Sequence, residues 1–246
     1  MNGPRPRIAI PEPNSLDVGY SERTWPQYAA AIESSGGTAI KVPLGLAPAQ
    51  AAELIASCVG FLLPGSSADI DPQKYGQPAD PASAPPDPRR EALDELLLQD
   101  AFNLGKPIFG ICYGHQSLNV WKGGSLIQNL TTCVDHQPGN SISEAHSITS
   151  PPAGSLLASL APGGGVVNSS HHQAVRVAGD SLRVTARSAE DNVIEAVEGG
   201  SDQFVIGVQW HPERTYDNPL SRGLFDSFIE AARKWTPRVS NGAYPR

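Results

Sequence analysis

Residues 107–118, which read P-I-F-G-I-C-Y-G-H-Q-S-L, predict a buried strand, a sharp turn and a helix in immediate succession. The apolar run at 107–111 is too short for a helix and is typical of a buried parallel strand. Apolar residues then recur with helical spacing until Gly123-Gly124 ends the helix. A strand that turns directly into a helix is the repeating unit of α/β sheets, so this stretch sets the fold class.

The turn in this unit carries a cysteine between two glycines, Gly110-Ile111-Cys112-Tyr113-Gly114. This is the G-x-[Ser/Cys]-x-G pattern of a nucleophile elbow, in which glycines leave room for a strained backbone and for substrate. Cys112 would begin the helix, where the positive end of the helix dipole favours thiolate over thiol. On this stretch alone, an inert cysteine in the core fits as well.

A second segment near the C-terminus supplies what a cysteine nucleophile needs. The apolar strand predicted at 204–208 leads to His211, and Glu213 follows two residues later. A nucleophile, a base and a carboxylate that orients the base would then all stand at strand ends. Taken singly, His211 could be a hydrogen-bonded core histidine and Glu213 a helix-start carboxylate. Their joint occurrence with the elbow favours catalysis.

The residues together resemble a known family. From about residue 7 to 232 the chain resembles class I glutamine amidotransferase domains, and within them the free-standing γ-glutamyl hydrolase branch that includes γ-glutamyl-γ-aminobutyrate hydrolases. Besides the elbow and the 207–213 segment, the markers are residues 63–72, Tyr75-Gly76, Arg90-Glu91 and residues 167–174. The resemblance implies a catalytic triad of Cys112, His211 and Glu213.

The resemblance also implies a reaction, the hydrolysis of γ-glutamyl amide bonds through a glutamyl thioester that releases glutamate and a free amine. Cys112 would attack the amide carbonyl, and backbone N–H groups at Gly65, Ser66 and Tyr113 would form the oxyanion hole. Family members often carry glycine where Ser66 stands. This chemistry requires neither a metal nor an organic cofactor.

Four further residues are assigned to substrate binding by the same resemblance. His171, His172 and Gln173 match the substrate segment of the hydrolase branch, and Gln116 matches the family's G-x-C-x-G-x-Q pattern. The alternative for the first three is a turn that precedes a strand at residue 174. The leaving amine is left open among γ-aminobutyrate, a polyamine-derived acid, another amino acid and a folate-type chain.

Two other functions compete with hydrolysis. The chain could be a glutaminase subunit that delivers ammonia to a synthase partner. Tyr113 favours this alternative, because G-I-C-Y-G also occurs in amidotransferase domains whereas many hydrolases carry arginine there. The segments 68–72 and 171–173 and the absence of a synthase domain oppose it. A catalytically dead binding module is disfavoured by the complete triad.

Length and composition limit the partners. The 246 residues suit a single domain at 1–246, with a core at about 7–234 and a tail at 235–246. The net charge of −7 disfavours nucleic acid. No signal-peptide core and no apolar run of membrane-spanning length occurs, which predicts a cytoplasmic protein that acts on a small molecule. A homodimer remains open.

The remaining pattern predicts a three-layer α/β fold, flavodoxin-like, with a mostly parallel central sheet and helices on both faces. Strands at 7–11, 38–42 and 59–63 alternate with helices at 24–35 and 48–57. Short segments between 165 and 208 predict a small antiparallel β element in the C-terminal half. The Pro-rich connection at 64–88 is long enough to be functional.

Two charged or metal-ligating pairs have more than one interpretation. Arg90 and Glu91 are either solvated charges of a helix's first turn or ties that hold the 64–88 connection to the domain. Cys133-x-x-His136 could be half of a zinc site, but no second pair accompanies it in the sequence. The sequence therefore predicts no metal.

Overall fold

The computed structural model describes residues 4–200 and 202–238. In chain order its strands are β1 Arg7–Pro11, β2 Thr38–Val42, β3 Gly60–Leu63, β4 Ile108–Ile111, β5 Ser125–Ile127, β6 His146–Ile148, β7 Gly165–Val167, β8 Ala174–Val177, β9 Arg183–Arg187, β10 Ile194–Glu198 and β11 Val205–Val208. The helices are α1 Val18–Ser34, α2 Pro48–Ala56, α3 Pro88–Leu104, α4 Tyr113–Trp121, α5 Leu156–Leu160 and α6 Pro219–Lys234, with 3-10 turns at Pro72–Tyr75 and Pro212–Thr215.

The central sheet has the strand order β2-β1-β3-β4-β11-β10-β8-β5, and β9 also pairs with β10. The strands from β2 to β11 run parallel, whereas β10 pairs antiparallel with β11, β8 and β9. A separate antiparallel pair joins β6 and β7. The predicted α/β fold is thus confirmed, with the flavodoxin-like order in its parallel half and the antiparallel element in the C-terminal half.

Helices cover both faces of the sheet because the inner parallel strands β3, β4 and β11 are buried along their whole length. On one face α1 and α6 pack side chains such as Tyr28 and Phe228 against Ile8 and Phe109. On the other, α2 and α3 contribute Ile55 and Leu97 to a second core cluster. These two layers fix the carboxyl edge of the parallel strands, where open α/β sheets bind ligands.

The helices differ in detail from the predicted ones. Helix α1 begins at Val18, six residues earlier than predicted, because the Asp17 side chain accepts a hydrogen bond from the Tyr20 N–H and caps it. In α3 the leucines do not all face the core, since Leu96 is 52% exposed whereas Leu98 is buried. Strand β6 and helix α5 were not predicted, since three and five residues are too few for an apolar pattern to repeat recognisably.

The strand–turn–helix unit at β4 and α4 is as tight as its glycines suggest. A Cβ built on Gly114 would lie 2.0 Å from the Leu63 carbonyl oxygen, and one built on Gly110 would lie 2.6 Å from the Gly114 carbonyl oxygen. Only glycine permits these backbone contacts. The helix therefore starts directly against β3, the strand that leads into the 64–88 connection.

The 64–88 connection is tied down by α3 rather than free. Arg90 is fully buried and donates to the carbonyl oxygens of Pro13 (2.8 Å) and Pro64 (2.7 Å). Glu91 accepts the Asp71 N–H at 2.7 Å. The second of the two interpretations of this pair is therefore the observed one.

The structure describes only the first four residues of the predicted tail, 235–238. Trp235 follows α6 directly and donates its indole N–H to the Leu104 carbonyl oxygen at 3.1 Å. Residues 239–246 of that tail lie outside the described residues. Within the described ranges, no helix combines the length and apolar character needed to span a bilayer.

Candidate active site

Cys112 stands at the elbow between β4 and α4 with an unusual backbone. Its φ of 52° and ψ of −106° lie outside the regions that L-residues normally occupy, and it is the N-cap residue of α4. Strain of this kind persists where the surroundings enforce it and is frequent at functional sites. Here the glycine contacts enforce it, so the thiol is held at the carboxyl edge of the sheet, 6% exposed.

His211 follows the end of β11, the strand beside β4, and pairs with Glu213. Its Nδ1 lies 2.7 Å from Glu213 Oε1, and both side chains are buried. Asn168 holds the histidine backbone from two sides, since its amide donates to the His211 carbonyl oxygen and its oxygen accepts the His211 N–H, both at 2.8 Å. The imidazole is therefore fixed in position through both its ring and its main chain.

The charge state of His211 follows from its neighbours. Burial alone would lower the pKa of the imidazole, but Glu213 and Cys112 outweigh it and raise the pKa to about 9. At neutral pH the ring is an imidazolium that donates Nδ1–H to Glu213. Its Nε2–H is then available to a leaving group, as a general acid requires.

A cleft of about 750 Å³ opens over these residues. It is lined by Cys112, His211 and Glu213 and also by Tyr20, Arg23, Ser66, Asp69, Tyr113, Gln116, His171, His172, Gln173 and Arg214. A space of this size holds a small molecule, and its walls offer both cations and a carboxylate.

The amides predicted for the oxyanion hole differ in availability. The Gly65 N–H donates to the Tyr28 hydroxyl at 3.1 Å. The Ser66 and Tyr113 N–H groups donate to no residue within 4–200 and 202–238. A Cβ on Gly65 would lie 3.0 Å from His211 Cε1, so Gly65 is the point of close approach between this loop and the histidine.

The predicted substrate residues separate into two groups. His172 faces the cleft and places Nε2 2.9 Å from Asp69 Oδ1, which raises the pKa of the imidazole. The amide of Gln116 is buried against the Gln173 carbonyl oxygen at 3.0 Å. Although the His171 residue lines the cleft, its ring Nε2 lies 3.7 Å from Glu195, in a buried group of side chains.

Several residues at or behind the site have a role that the sequence did not reveal. Asn168 lies within a family marker, but its clamp on His211 depends on a contact between residues 43 positions apart. The buried group of His136, His146, His171 and Glu195 was missed entirely, because its members come from four separate segments. Only Cys133-x-x-His136 hinted at it, and Cys133 is exposed and outside the group.

Comparison with known proteins agrees with this architecture. The family model described as Peptidase C26 matches residues 12–213. The chain is 35% identical over 233 residues to γ-glutamyl-γ-aminobutyrate hydrolase of Escherichia coli K12, covering 89% of this chain and 90% of that protein. It is 35% identical over 222 residues to a Mycobacterium tuberculosis protein named "putative glutamine amidotransferase", covering 89% of this chain and 70% of that one.

A solved structure has the same fold. It is the crystal structure of a protein from Thermoplasma acidophilum described as a "putative GMP synthase" subunit, with a TM-score of 0.66, 16% identity and coverage of 94% of this chain and 96% of that chain. At this identity the likeness concerns the fold alone. The family assignment rests instead on the family model, which matches residues 12–213 and thus most of the sequence. The chain belongs to the peptidase C26 family of class I glutamine amidotransferase-like proteins.

Proposed function

We propose that this protein is a stand-alone cysteine hydrolase of γ-glutamyl amides, with Cys112, His211 and Glu213 as its catalytic triad. The observation that carries the proposal is the strained Cys112 at the start of α4, in one cleft with a His211–Glu213 pair 2.7 Å apart. A nucleophile, an acid–base group and its orienting carboxylate in one concave site are the parts of acyl transfer through a covalent intermediate.

Acylation uses the thiolate of Cys112 and the imidazolium of His211. The sulfur attacks the amide carbonyl carbon, and the carbonyl oxygen becomes an oxyanion that accepts the unpaired N–H groups of Ser66 and Tyr113. When the tetrahedral intermediate collapses, the C–N bond breaks and His211 Nε2 gives its proton to the departing amine. The product is a glutamyl thioester on Cys112 and a free amine.

Deacylation uses the same groups in reverse. His211 is now neutral and accepts a proton from a water molecule, whose oxygen attacks the thioester carbonyl. The Cys112 thiolate leaves, and glutamate is released. Glu213 keeps the ring oriented and stabilises its charged form in both halves of the cycle.

The walls of the cleft suit a substrate with charges at both ends. Asp69, which also contacts His172, offers a carboxylate to the α-ammonium of the glutamyl group. Arg23 and Arg214 line the same cleft and offer cations to carboxylates, including one on the leaving amine. The names γ-glutamyl-γ-aminobutyrate hydrolase among the relatives fit an amine of this kind. We further propose that the protein works in the cytoplasm on this small molecule, as a single chain or a homodimer.

The purified chain alone is expected to hydrolyse at least one γ-glutamyl amide. The measurement is release of glutamate and amine from a panel: γ-glutamyl-γ-aminobutyrate, γ-glutamyl amides of other amino acids, a γ-glutamyl alkylamine without a carboxylate, and glutamine. We expect the carboxylate-bearing amides to exceed the alkylamine in kcat/KM because of Arg23 and Arg214. Activity confined to glutamine, and dependent on an added synthase subunit, would instead support the amidotransferase alternative raised by the M. tuberculosis relative.

Glu213→Gln is expected to move the alkaline limit of activity to lower pH. The wild-type imidazole has a pKa of about 9, raised by Glu213 and Cys112 against burial, so the imidazolium needed for acylation is lost above that pH. An opposite charge at this distance raises a pKa by about 1–3, and its removal lowers the limit by a similar amount. The measurement is kcat/KM against pH, which reports the free enzyme.

Stability gives a second readout of the same pKa. Because the folded pKa lies above the unfolded value of about 6.5, His211 stabilises the fold fully below that pH, and the contribution is lost as pH rises through about 9. Glu213→Gln should flatten this loss. The control is Glu198→Gln, since Glu198 is also buried but accepts the Leu156 and Leu157 N–H groups instead of a histidine. An unchanged alkaline limit in Glu213→Gln would contradict the assigned pair.

A further inference from the structure

Four buried side chains converge beside the cleft, and one of them, His171, also lines it. They are His136 from the irregular segment before β6, His146 at the start of β6, His171 from the loop before β8 and Glu195 in β10. One ligating atom of each lies within 4.8 Å of the others, and all four residues are buried. The proposed hydrolysis uses none of the imidazoles or the carboxylate of this group.

The hydrogen bonds around the group orient every imidazole toward its centre. His171 Nδ1 donates to the Gln173 carbonyl oxygen at 2.9 Å, and His146 Nδ1 donates to the Ser147 carbonyl oxygen at 3.2 Å. In both rings Nδ1 is thus engaged outside the group, and Nε2 faces Glu195 at its centre.

The ring of His136 is turned the other way, so that Nδ1 rather than Nε2 faces the centre of the group. Its Nε2 lies 2.9 Å from Asp191 Oδ2, so Nε2 carries the proton and Nδ1 faces the centre. Carbonyl oxygens and carboxylates that accept the outer N–H of a histidine are the usual second partners of metal-ligating imidazoles.

The centre of the group has more acceptors than donors in the described part of the chain. Ser169 Oγ, 3.2 Å from His136 Nδ1, can donate one hydrogen bond there. His146 Nε2, His171 Nε2 and both carboxylate oxygens of Glu195 are buried with no partner in the described part of the chain. Several acceptors that face one another without a donor repel, and leaving them unpaired is costly. A cation between them would satisfy all of them at once.

The distances from Glu195 to the three imidazoles are close to those between the ligands of a bound zinc ion. Glu195 Oε1 lies 3.7 Å from His136 Nδ1, 3.5 Å from His146 Nε2 and 3.7 Å from His171 Nε2. Ligand atoms about 2.0–2.1 Å from a tetrahedral zinc ion are about 3.4 Å apart. Small movements of the side chains would therefore place all four atoms in one coordination shell.

We propose that His136, His146, His171 and Glu195 bind one zinc ion in a buried tetrahedral site. Three imidazoles and one carboxylate suit a borderline-soft divalent cation better than Mg²⁺ or Ca²⁺, which prefer oxygen ligands. Four protein ligands close the shell, so the ion is structural and takes no part in the reaction. This proposal replaces the expectation from sequence that the chain binds no metal.

The ion would fasten the floor of the cleft to the sheet. His171 immediately precedes His172 and Gln173, which line the cleft. Glu195 belongs to β10, and its carbonyl oxygen accepts the N–H of Gln209, two residues before His211. The metal would thus join the segment around His136 and the loop at 171–173 to the strands that position the histidine of the proposed triad.

The test is metal content and affinity of the full chain, made without a histidine tag and grown with added zinc. After gel filtration in metal-depleted buffer we expect about one zinc per chain, measured by inductively coupled plasma mass spectrometry. Glu195→Gln and His146→Gln each remove one ligand and should weaken zinc affinity at least about tenfold in competition with a chromophoric chelator. Glu198→Gln, three residues along the same strand, is the matched control and should keep the zinc.

Two measurements keep the test decisive if a ligand variant folds poorly. Cobalt added to metal-free wild type should give the visible absorption of tetrahedral coordination. Zinc should also raise the melting temperature of metal-free wild type and of Glu198→Gln, but not of Glu195→Gln. The proposal is overturned if zinc-grown wild type holds no stoichiometric metal, if cobalt stays octahedral, or if Glu195→Gln binds zinc as tightly as the control.

Discussion

Cys112→Ser is expected to reduce hydrolysis of γ-glutamyl amides to near the uncatalysed background. A hydroxyl has no comparable ionised fraction at pH 7, so the attacking group is lost while the size of the side chain is nearly kept. Cys112 occupies a strained position that the glycine contacts enforce, and serine fits the same backbone as well as cysteine. The melting temperature should therefore change little while kcat falls to near background. The measurements are kcat and thermal unfolding of the variant and the wild type.

The same prediction extends to the partner of the thiol. His211→Ala removes the group that we propose protonates the amine and later activates water, so kcat should fall on the order of 10²–10⁴-fold. Because the two residues act as a unit, the Cys112→Ser/His211→Ala double variant should be no slower than Cys112→Ser alone. A double variant slower by the product of both losses would mean that His211 acts outside the Cys112 pathway.

The other cysteines supply matched controls for the nucleophile. Cys133 is an exposed free thiol, so Cys133→Ser changes the same atom without touching the cleft and should keep wild-type activity. Cys58 is fully buried, and burial raises the pKa of its thiol, so it should resist alkylation. Activity that tracks alkylation of Cys58 or Cys133 rather than of Cys112 would overturn the assignment.

The sequence predicted those parts of the molecule that depend on local pattern. The buried strands β1, β3 and β4 are short apolar runs, so each is visible within a window of a few residues. The elbow around Cys112 was visible for the same reason, since its glycines and cysteine are adjacent. The predicted helix start was wrong where a capping side chain determines it, as Asp17 does for α1.

Features made by distant residues could not be read in the same way. Asn168 meets His211, and Arg90 meets Pro13, only after the sheet has assembled. Likewise, Gly65 was expected in the oxyanion hole, but its N–H is engaged by Tyr28, a partner 37 residues away. A sequence pattern gives the residue type and the strand end. Tertiary contacts decide whether each polar atom has a hydrogen-bond partner and which residue supplies it.

Arg90→Met is expected to cost about 3–5 kcal/mol in the free energy of unfolding. Arg90 and Asp94 form a fully buried pair at 2.8 Å, and burial raises the pKa of Asp94 even beside the guanidinium. Removing the arginine leaves an uncompensated carboxylate in the interior. Arg89→Met, on the exposed side of the same turn, is the control and should change stability by less than about 0.5 kcal/mol. Chemical denaturation of both variants makes the comparison.

Measuring kcat as well as stability distinguishes two roles of Arg90, the buried ion pair with Asp94 and the positioning of the loop at Pro64. Its guanidinium also donates to the Pro64 carbonyl oxygen at 2.7 Å, one residue before Gly65 and two before the Ser66 N–H proposed for the oxyanion hole. In Arg90→Met/Asp94→Leu the lone carboxylate is gone, so the double variant should be more stable than Arg90→Met. The Pro64 carbonyl still lacks its donor, and a misplaced amide lowers kcat on the order of 10²-fold. If kcat recovered together with stability, Arg90 would matter only for folding, and its proposed positioning of the loop over Cys112 would be wrong.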